Sequence, residues 1–154
     1  MTVSVTESFP VGLDALWREA GHPARVSKTV PMLRDFSAPE TLTVGAPLSE
    51  THTILGWPQR YQGEVLVIEE RKVWGMSSKP SEPGPCSLPH DVFYGFSEQG
   101  GRSSLRITCS FECRGLLALP FVPKLVAWAM KLTLLKLLKT VGLRLRAMPC
   151  AAHC

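Results

Sequence analysis

Residues 90–145 read HDVFYGFSEQGGRSSLRITCSFECRGLLALPFVPKLVAWAMKLTLLKLLKTVGLRL, and two periods meet in them. From His90 to Ser97, and again from Ser103 to Cys113, side chains alternate residue by residue, the mark of half-buried strands. Leu105, Ile107, Cys109 and Phe111 fall on one face of the second run, with Ser104, Arg106, Thr108 and Ser110 on the other. Gln99-Gly100-Gly101 between the runs is a hairpin signal. Past Gly115 the period changes. From Pro123, a residue tolerated in a first helical turn, to about Leu145, apolar residues recur at helical spacing. At ~100° per residue, Val126, Met130, Leu134, Leu137 and Val141 share one arc. A sheet with one apolar face and a helix with one apolar arc cover each other most economically.

Upstream, period-two runs continue. Lys72 to Ser78 and Tyr61 to Glu69 read as strands joined by the charged turn Glu69–Arg71. Leu48 to Leu55 is a Thr-rich strand that turns at Gly56-Trp57-Pro58. Met32 to Phe36 is another, with Leu42-Thr43-Val44 open as its extension and Gly45-Ala46-Pro47 as a turn. Lys79 to Pro89 holds four prolines and reads as a loop. Thr2 to Ser8 alternates as a first strand, and Val11 to Ala20 carries Leu13, Leu16 and Trp17 at helical spacing. His22 to Pro31 fits either a second short helix or a loop. The expected architecture is α+β: a curved antiparallel sheet of about seven strands around a long C-terminal helix, with one or two short helices after the first strand. One domain is expected over residues 1–147, with 148–154 as a tail.

The chain has 154 residues, 45% apolar and 19% charged, an ordinary globular composition. Its net charge of +4 is too small to argue for nucleic acid, and no nucleic-acid partner is expected. The placement of charge says more. From Leu116 onward there are six basic residues and no acid, leaving eleven basic against thirteen acidic residues before it. No signal peptide is evident, and lysines interrupt the longest apolar region before it reaches the ~18 residues of a membrane span. A soluble, cytoplasmic protein is therefore expected, with its five cysteines as reduced thiols. Cys86-x3-His90 and the group Cys150, His153 and Cys154 match no strong zinc spacing. No metal and no cofactor are expected.

The order of elements and several landmarks resemble the SRPBCC superfamily, the START-like, polyketide cyclase/dehydrase and Bet v 1-like helix-grip proteins. Leu16-Trp17 resembles its hydrophobe-Trp pair on the first helix, and Val44-Gly45 its turn after the second strand. GRSSLRITC, Gly101 to Cys109, is similar to its G-x-T-x-h-T hairpin into the last strand, with Ser104 where Thr is usual. Cys113-Arg114-Gly115 resembles the glycine-terminated approach to the long helix, and Lys136 to Lys139 falls where that helix carries Leu-Lys. The match spans about residues 2–142. Ala20 to Thr29 departs from it by lacking an Asp and aromatic residues, and the 79–89 loop is longer than the common turn. The resemblance implies a hydrophobic pocket between sheet and helix. It implies no single chemistry, since this fold serves cyclases, dehydratases, hydrolases, lipid carriers and hormone binders.

Strand phase then selects pocket residues. His90, Val92, Tyr94 and Phe96 form the bulkier phase of their strand and are taken as inward, with Trp74 and Met76 beside them. Met32, Arg34 and Phe36 share a phase, which aims Arg34 at the pocket. The facing of His52 stays open. The catalytic candidates are His52 and His90 as proton shuttles, with Arg34 or Tyr94 holding an enolate or phenolate oxygen. Phe36, Trp57, Tyr61, Trp74, Met76, Phe96 and Cys109 are the expected walls on the sheet. Val126, Met130 and Leu134 are expected on the helix. The expected partner is a hydrophobic small molecule. The expected function is a cofactor-free cyclase or dehydratase acting on a polyketide-like intermediate. The alternative is a carrier or sequestering protein for a lipid or aromatic metabolite. On the outer arc of the helix, Lys124, Lys131 and Lys139 lie among Trp128, Leu132 and Leu135. A homodimer face, a peripheral membrane contact, or packing against the tail or N-terminal segment would each account for that arc.

Overall fold

The alternating runs become one seven-stranded antiparallel sheet in a computed structural model that describes residues 1–30 and 33–148. In chain order the elements are β1 (Thr2–Phe9), α1 (Leu13–Ala20), α2 (Pro23–Ser27), β2 (Leu33–Ser37), β3 (Pro47–Ile54), β4 (Trp57–Glu69) and β5 (Val73–Pro80). They continue with β6 (Cys86–Ser87), β7 (His90–Gln99), β8 (Arg102–Phe111), β9 (Arg114–Gly115), a 3-10 turn (Leu116–Ala118) and α3 (Val122–Ala147). The sheet runs β1-β8-β7-β5-β4-β3-β2. Gly100 and Gly101 close the β7–β8 hairpin at φ +60° and +71°, values that glycine adopts freely.

Alternation sorts the two faces of the sheet. Across β1 and β8, hydroxyls pair on the outer face: Thr2 with Ser110 and Ser4 with Thr108 at 3.0 Å, Ser8 with Ser104 at 2.6 Å. The inner face carries Val5, Leu105, Ile107, Cys109 and Phe111, all buried. The α1 helix turns Leu16 and Ala20 into the core and lays Trp17 edge-on to Phe96, with ring centroids 4.9 Å apart. The indole N–H of Trp74 donates to Ala20 O at 2.8 Å and ties β5 to the end of α1. Within the segment after His22, Pro23–Ser27 forms the five-residue α2, opened by Pro23 and capped by His22 Nδ1, which accepts the Ala24 N–H at 3.1 Å.

The two halves of α3 differ. Leu134, Leu137, Leu138, Val141, Gly142 and Leu145 are buried, and this half packs on β1 and α1. No residue from Val122 to Thr133 is fully buried, because that half stands over a hollow. No described helix is long and apolar enough to cross a membrane.

Three local expectations give way. The turn expected at Gly56-Trp57-Pro58 lies one residue earlier, at Leu55-Gly56 with φ +50° and +85°, and Trp57 and Pro58 open β4 instead. Positive φ at both central residues is what a twisted two-residue hairpin requires. Leu42-Thr43-Val44 does not extend a strand, since Val44-Gly45 is already turning. The 79–89 loop contains β6, which pairs with β9. That pairing needs Gly115: at φ +63°, an added Cβ would sit 2.1 Å from Pro85 O. Met32, counted above in the second strand, lies outside the described residues. So does the tail from Pro149, together with Cys150, His153 and Cys154.

Candidate functional site

Between the concave face of the sheet and the first half of α3 lies a cavity of about 400 Å³. A volume of this order suits a small organic ligand. Met76, Val92, Tyr94 and Cys109 form its floor, and Val126, Met130, Leu134 and Leu137 its roof. Trp74 and Tyr94 stack on the floor with ring centroids 4.0 Å apart and planes 10° from parallel. Phe36 and Tyr61 also line the cavity.

Charge enters this apolar space at one place. Glu50 and His52, two residues apart on β3, share an inward phase with Leu48 and Ile54. His90, at the start of β7, reaches them from across the curl of the sheet. Small residues in the intervening strands leave room: Gly63 faces Ser78, and Ser78 faces His90. Glu50 Oε1 lies 3.2 Å from His90 Nε2, and Glu50 Oε2 lies 3.2 Å from His52 Nε2. The imidazole rings meet edge to face at 5.5 Å. Tyr61, opposite Glu50 on β4, sets its ring 5.2 Å from His52 and 5.8 Å from His90.

Surrounding bonds fix the orientation of these groups. His90 Nδ1–H donates to Leu88 O at 2.9 Å, which turns Nε2 toward Glu50. The Tyr61 hydroxyl accepts the Leu88 N–H at 2.8 Å, leaving its own proton to donate. Glu50 Oε1 and His52 Nε2 are buried without an aligned hydrogen-bond partner, as is Ser78 Oγ. The short Glu50–imidazole contacts thus lie off the hydrogen-bond line. An orphaned pair of this kind is unusual in a buried site and leaves bonding capacity for a ligand.

Electrostatics divides the cavity. Burial alone would raise the Glu50 carboxyl, but His52 and His90 overcome it and hold the group well below the usual carboxylate range. Burial alone would lower His90, and Glu50 reverses this, holding the imidazole above its ordinary 6.5. Away from the cluster burial wins. It pushes the Tyr94 hydroxyl up, with Cys109 and Glu50 adding to the effect, and it pushes the Cys109 thiol up to about 12. Both therefore enter the cavity protonated at neutral pH. One wall carries the Glu50 carboxylate between two imidazoles, and the rest is neutral and apolar.

Of the sequence candidates, His52, His90, Tyr61, Tyr94, Trp74, Met76, Cys109, Phe36, Val126, Met130 and Leu134 all face the cavity. Three do not. Arg34 is exposed, with its Nε donating to Thr53 Oγ1 at 3.0 Å. A bulge between Leu33 and Asp35 makes Arg34 the extra residue, so Leu33 and Phe36 line the cavity in place of an Arg34–Phe36 pair. Trp57 is 61% exposed at the start of β4. Phe96 keeps the predicted phase but lies beyond the cavity, under Trp17. Sequence reasoning missed Glu50. Its signal was present: a carboxylate in the apolar phase of β3, between Leu48 and Ile54.

Glu50, His52 and His90 are also the one group of three metal-ligating side chains among the described residues with ligand atoms within 4.8 Å of one another. Two imidazoles and a carboxylate are a competent donor set for a transition metal. An ion there would compete with protons for the same lone pairs.

No family model matches the chain, and no curated protein matches it. Solved structures do. The Zhui aromatase/cyclase from Streptomyces sp. R1128 superposes with a TM-score of 0.76 at 11% identity, over 100% of this chain and 99% of that one. Ara h 8.0201 gives 0.67 at 14%, over 96% and 98%. DynU16, a protein of the dynemicin biosynthetic locus, gives 0.65 at 21%, and this chain covers 95% of itself but 47% of DynU16. At such identities the likeness establishes the fold, which is the helix-grip fold.

Proposed function

We propose that this protein, whose fold is that of the SRPBCC and Bet v 1-like helix-grip proteins, is a cofactor-free cyclase or dehydratase for a hydrophobic, polyketide-like intermediate. The observation that carries the reading is Glu50, a 4%-exposed carboxylate clasped by two imidazoles at the wall of an apolar cavity. The likeness to an aromatase/cyclase supports it at the level of fold.

The chemistry is proton transfer. A methylene between two carbonyls gives its proton to His52, and the enolate carbon attacks a second carbonyl to form the ring bond. The resulting alkoxide takes the Nε2 proton of His90, whose imidazolium Glu50 stabilises. Dehydration follows in the same groups: an adjacent C–H proton leaves to a neutral imidazole, the C–O bond breaks, and hydroxide departs as water with the returned proton. Tyr61 and Tyr94 donate hydrogen bonds to the ketone oxygens, and the Trp74–Tyr94 stack supports the flat product.

The test is turnover of a poly-β-ketone thioester analogue by purified protein, followed as loss of water in the product mass. Removing a general acid or base costs about 10²–10⁴-fold, so His90→Gln and His52→Gln should each lose that much while still binding the ligand. Full turnover in both variants would sink the reading. Dialysis against a chelator should leave the rate unchanged, and a loss restored by added zinc would move the chemistry to a metal.

The carrier reading draws on a different observation, the open first half of α3. A protein that only carries would bind the analogue equally well with Glu50→Gln and show no turnover in either form.

A further inference from the structure

The mouth of the cavity has an apolar rim. On one side is the β3–β4 hairpin tip, where Leu55 lines the cavity yet stays exposed, with Trp57 exposed beside it. On the other side is the start of α3. Leu125 likewise lines the cavity and is exposed, Phe121 is 79% exposed and Trp128 is 64% exposed. Phe121 holds φ +69°, a conformation that bulky residues rarely adopt. Isolated surface hydrophobes need no explanation, but a run of large ones along one helix face does.

These two segments carry charge of one sign. No acidic residue occurs from Thr51 to Gly63, which contains the hairpin tip, or from Cys113 to Met148, which contains all of α3. Lys124, Lys131 and Lys139 are exposed and fall on the same arc of the helix as Trp128, Leu132 and Leu135. Lysines interleaved with Trp and Leu on one arc fit the boundary of an anionic bilayer. There, aromatic and aliphatic side chains reach the acyl region while ammonium groups stay at the headgroups.

We propose that the outer arc of α3 docks on a membrane carrying anionic lipid, with Phe121 and Trp128 entering the interface and Lys124 and Lys131 on its headgroups. The docking does not rest on the ligand-binding reading above.

The experiment is co-sedimentation of the full chain, without ligand, with vesicles of phosphatidylcholine alone or with phosphatidylserine added. Binding to the mixed vesicles should exceed binding to the neutral ones by about tenfold and fall with salt. Lys124→Glu with Lys131→Glu should remove that preference. Phe121→Ser with Trp128→Ser should weaken binding at low salt and reduce the blue shift of tryptophan fluorescence. None of these four residues lines the cavity, so circular dichroism and binding of the ketone analogue should stay unchanged. If analogue binding fails while vesicle binding persists, the functional reading falls and the docking stands. No sedimentation with phosphatidylserine vesicles, equal sedimentation with both kinds, or a lipid-independent dimer that buries Trp128 would overturn the docking.

Discussion

At the scale of single residues, Glu50 and His90 set an opposing pair of pH limits. Burial and two imidazoles leave the folded Glu50 value below its ordinary 4.5, so its contribution to stability is present above pH 4.5. That contribution is lost as acid takes the pH down through the folded value. Burial and Glu50 leave the folded His90 value above 6.5, so its contribution is whole below pH 6.5 and is lost as the pH rises through the folded value. The pair therefore stabilises most between pH 4.5 and 6.5. Melting temperatures should fall as the pH rises above this range, and Glu50→Gln should flatten that limb. An unchanged limb in the variant would mean the pair is not coupled. His90→Ala strands a buried carboxylate beside one imidazole, a change that costs on the order of 3–5 kcal/mol. The double variant Glu50→Gln, His90→Gln should recover part of it, measurable by urea denaturation. Both histidines were legible as candidates from residue type, and His90 also from strand phase, whereas the facing of His52 was open. Their meeting was not, because β5 and β4 lie between β7 and β3, and only the curl of the sheet brings the two strands' side chains together.

At the scale of elements, periodicity revealed every long strand and the long helix, and failed where one residue changes the phase. The bulge at Leu33/Asp35 sends Arg34 outward although a strict period of two aims it inward. At Leu55-Gly56 a two-residue turn moved Trp57 from a loop into β4. The two-stranded β6–β9 pair had no periodic signal to read, since each strand has two residues. Its support is conformational and sits at Gly115. Gly115→Ala adds a Cβ against the Pro85 carbonyl at a positive φ, so it should uncouple β6 from β9. Because Leu88 follows β6, the Leu88 N–H bond to Tyr61 should loosen with it. Amide exchange at Leu88 reports this directly, and protection as strong as in the parent chain would refute the linkage.

At the scale of the whole molecule, α3 does two jobs along its length. Its second half belongs to the core: Leu137 and Leu138 are fully buried, and Gly142 lies close against Phe9, where an added Cβ would meet the ring at 3.1 Å. Its first half roofs a hollow that the protein's own side chains leave unfilled. Two truncations of equal chemistry should therefore diverge. Leu138→Ala opens a void in packed surroundings and should cost about 2–5 kcal/mol. Met130→Ala borders space that is already empty and only partly buried, so it loses fewer contacts and should cost well under half as much. Ligand changes the comparison. A molecule that fills the hollow stabilises the folded state in proportion to its occupancy, and its contacts on the roof include Met130 but not Leu138. Saturating ketone analogue should thus raise the melting temperature of the parent chain and of Leu138→Ala equally, and raise that of Met130→Ala by less. Calorimetric scans of the three proteins, with and without analogue, measure this. Equal shifts in all three would place the ligand elsewhere than under α3.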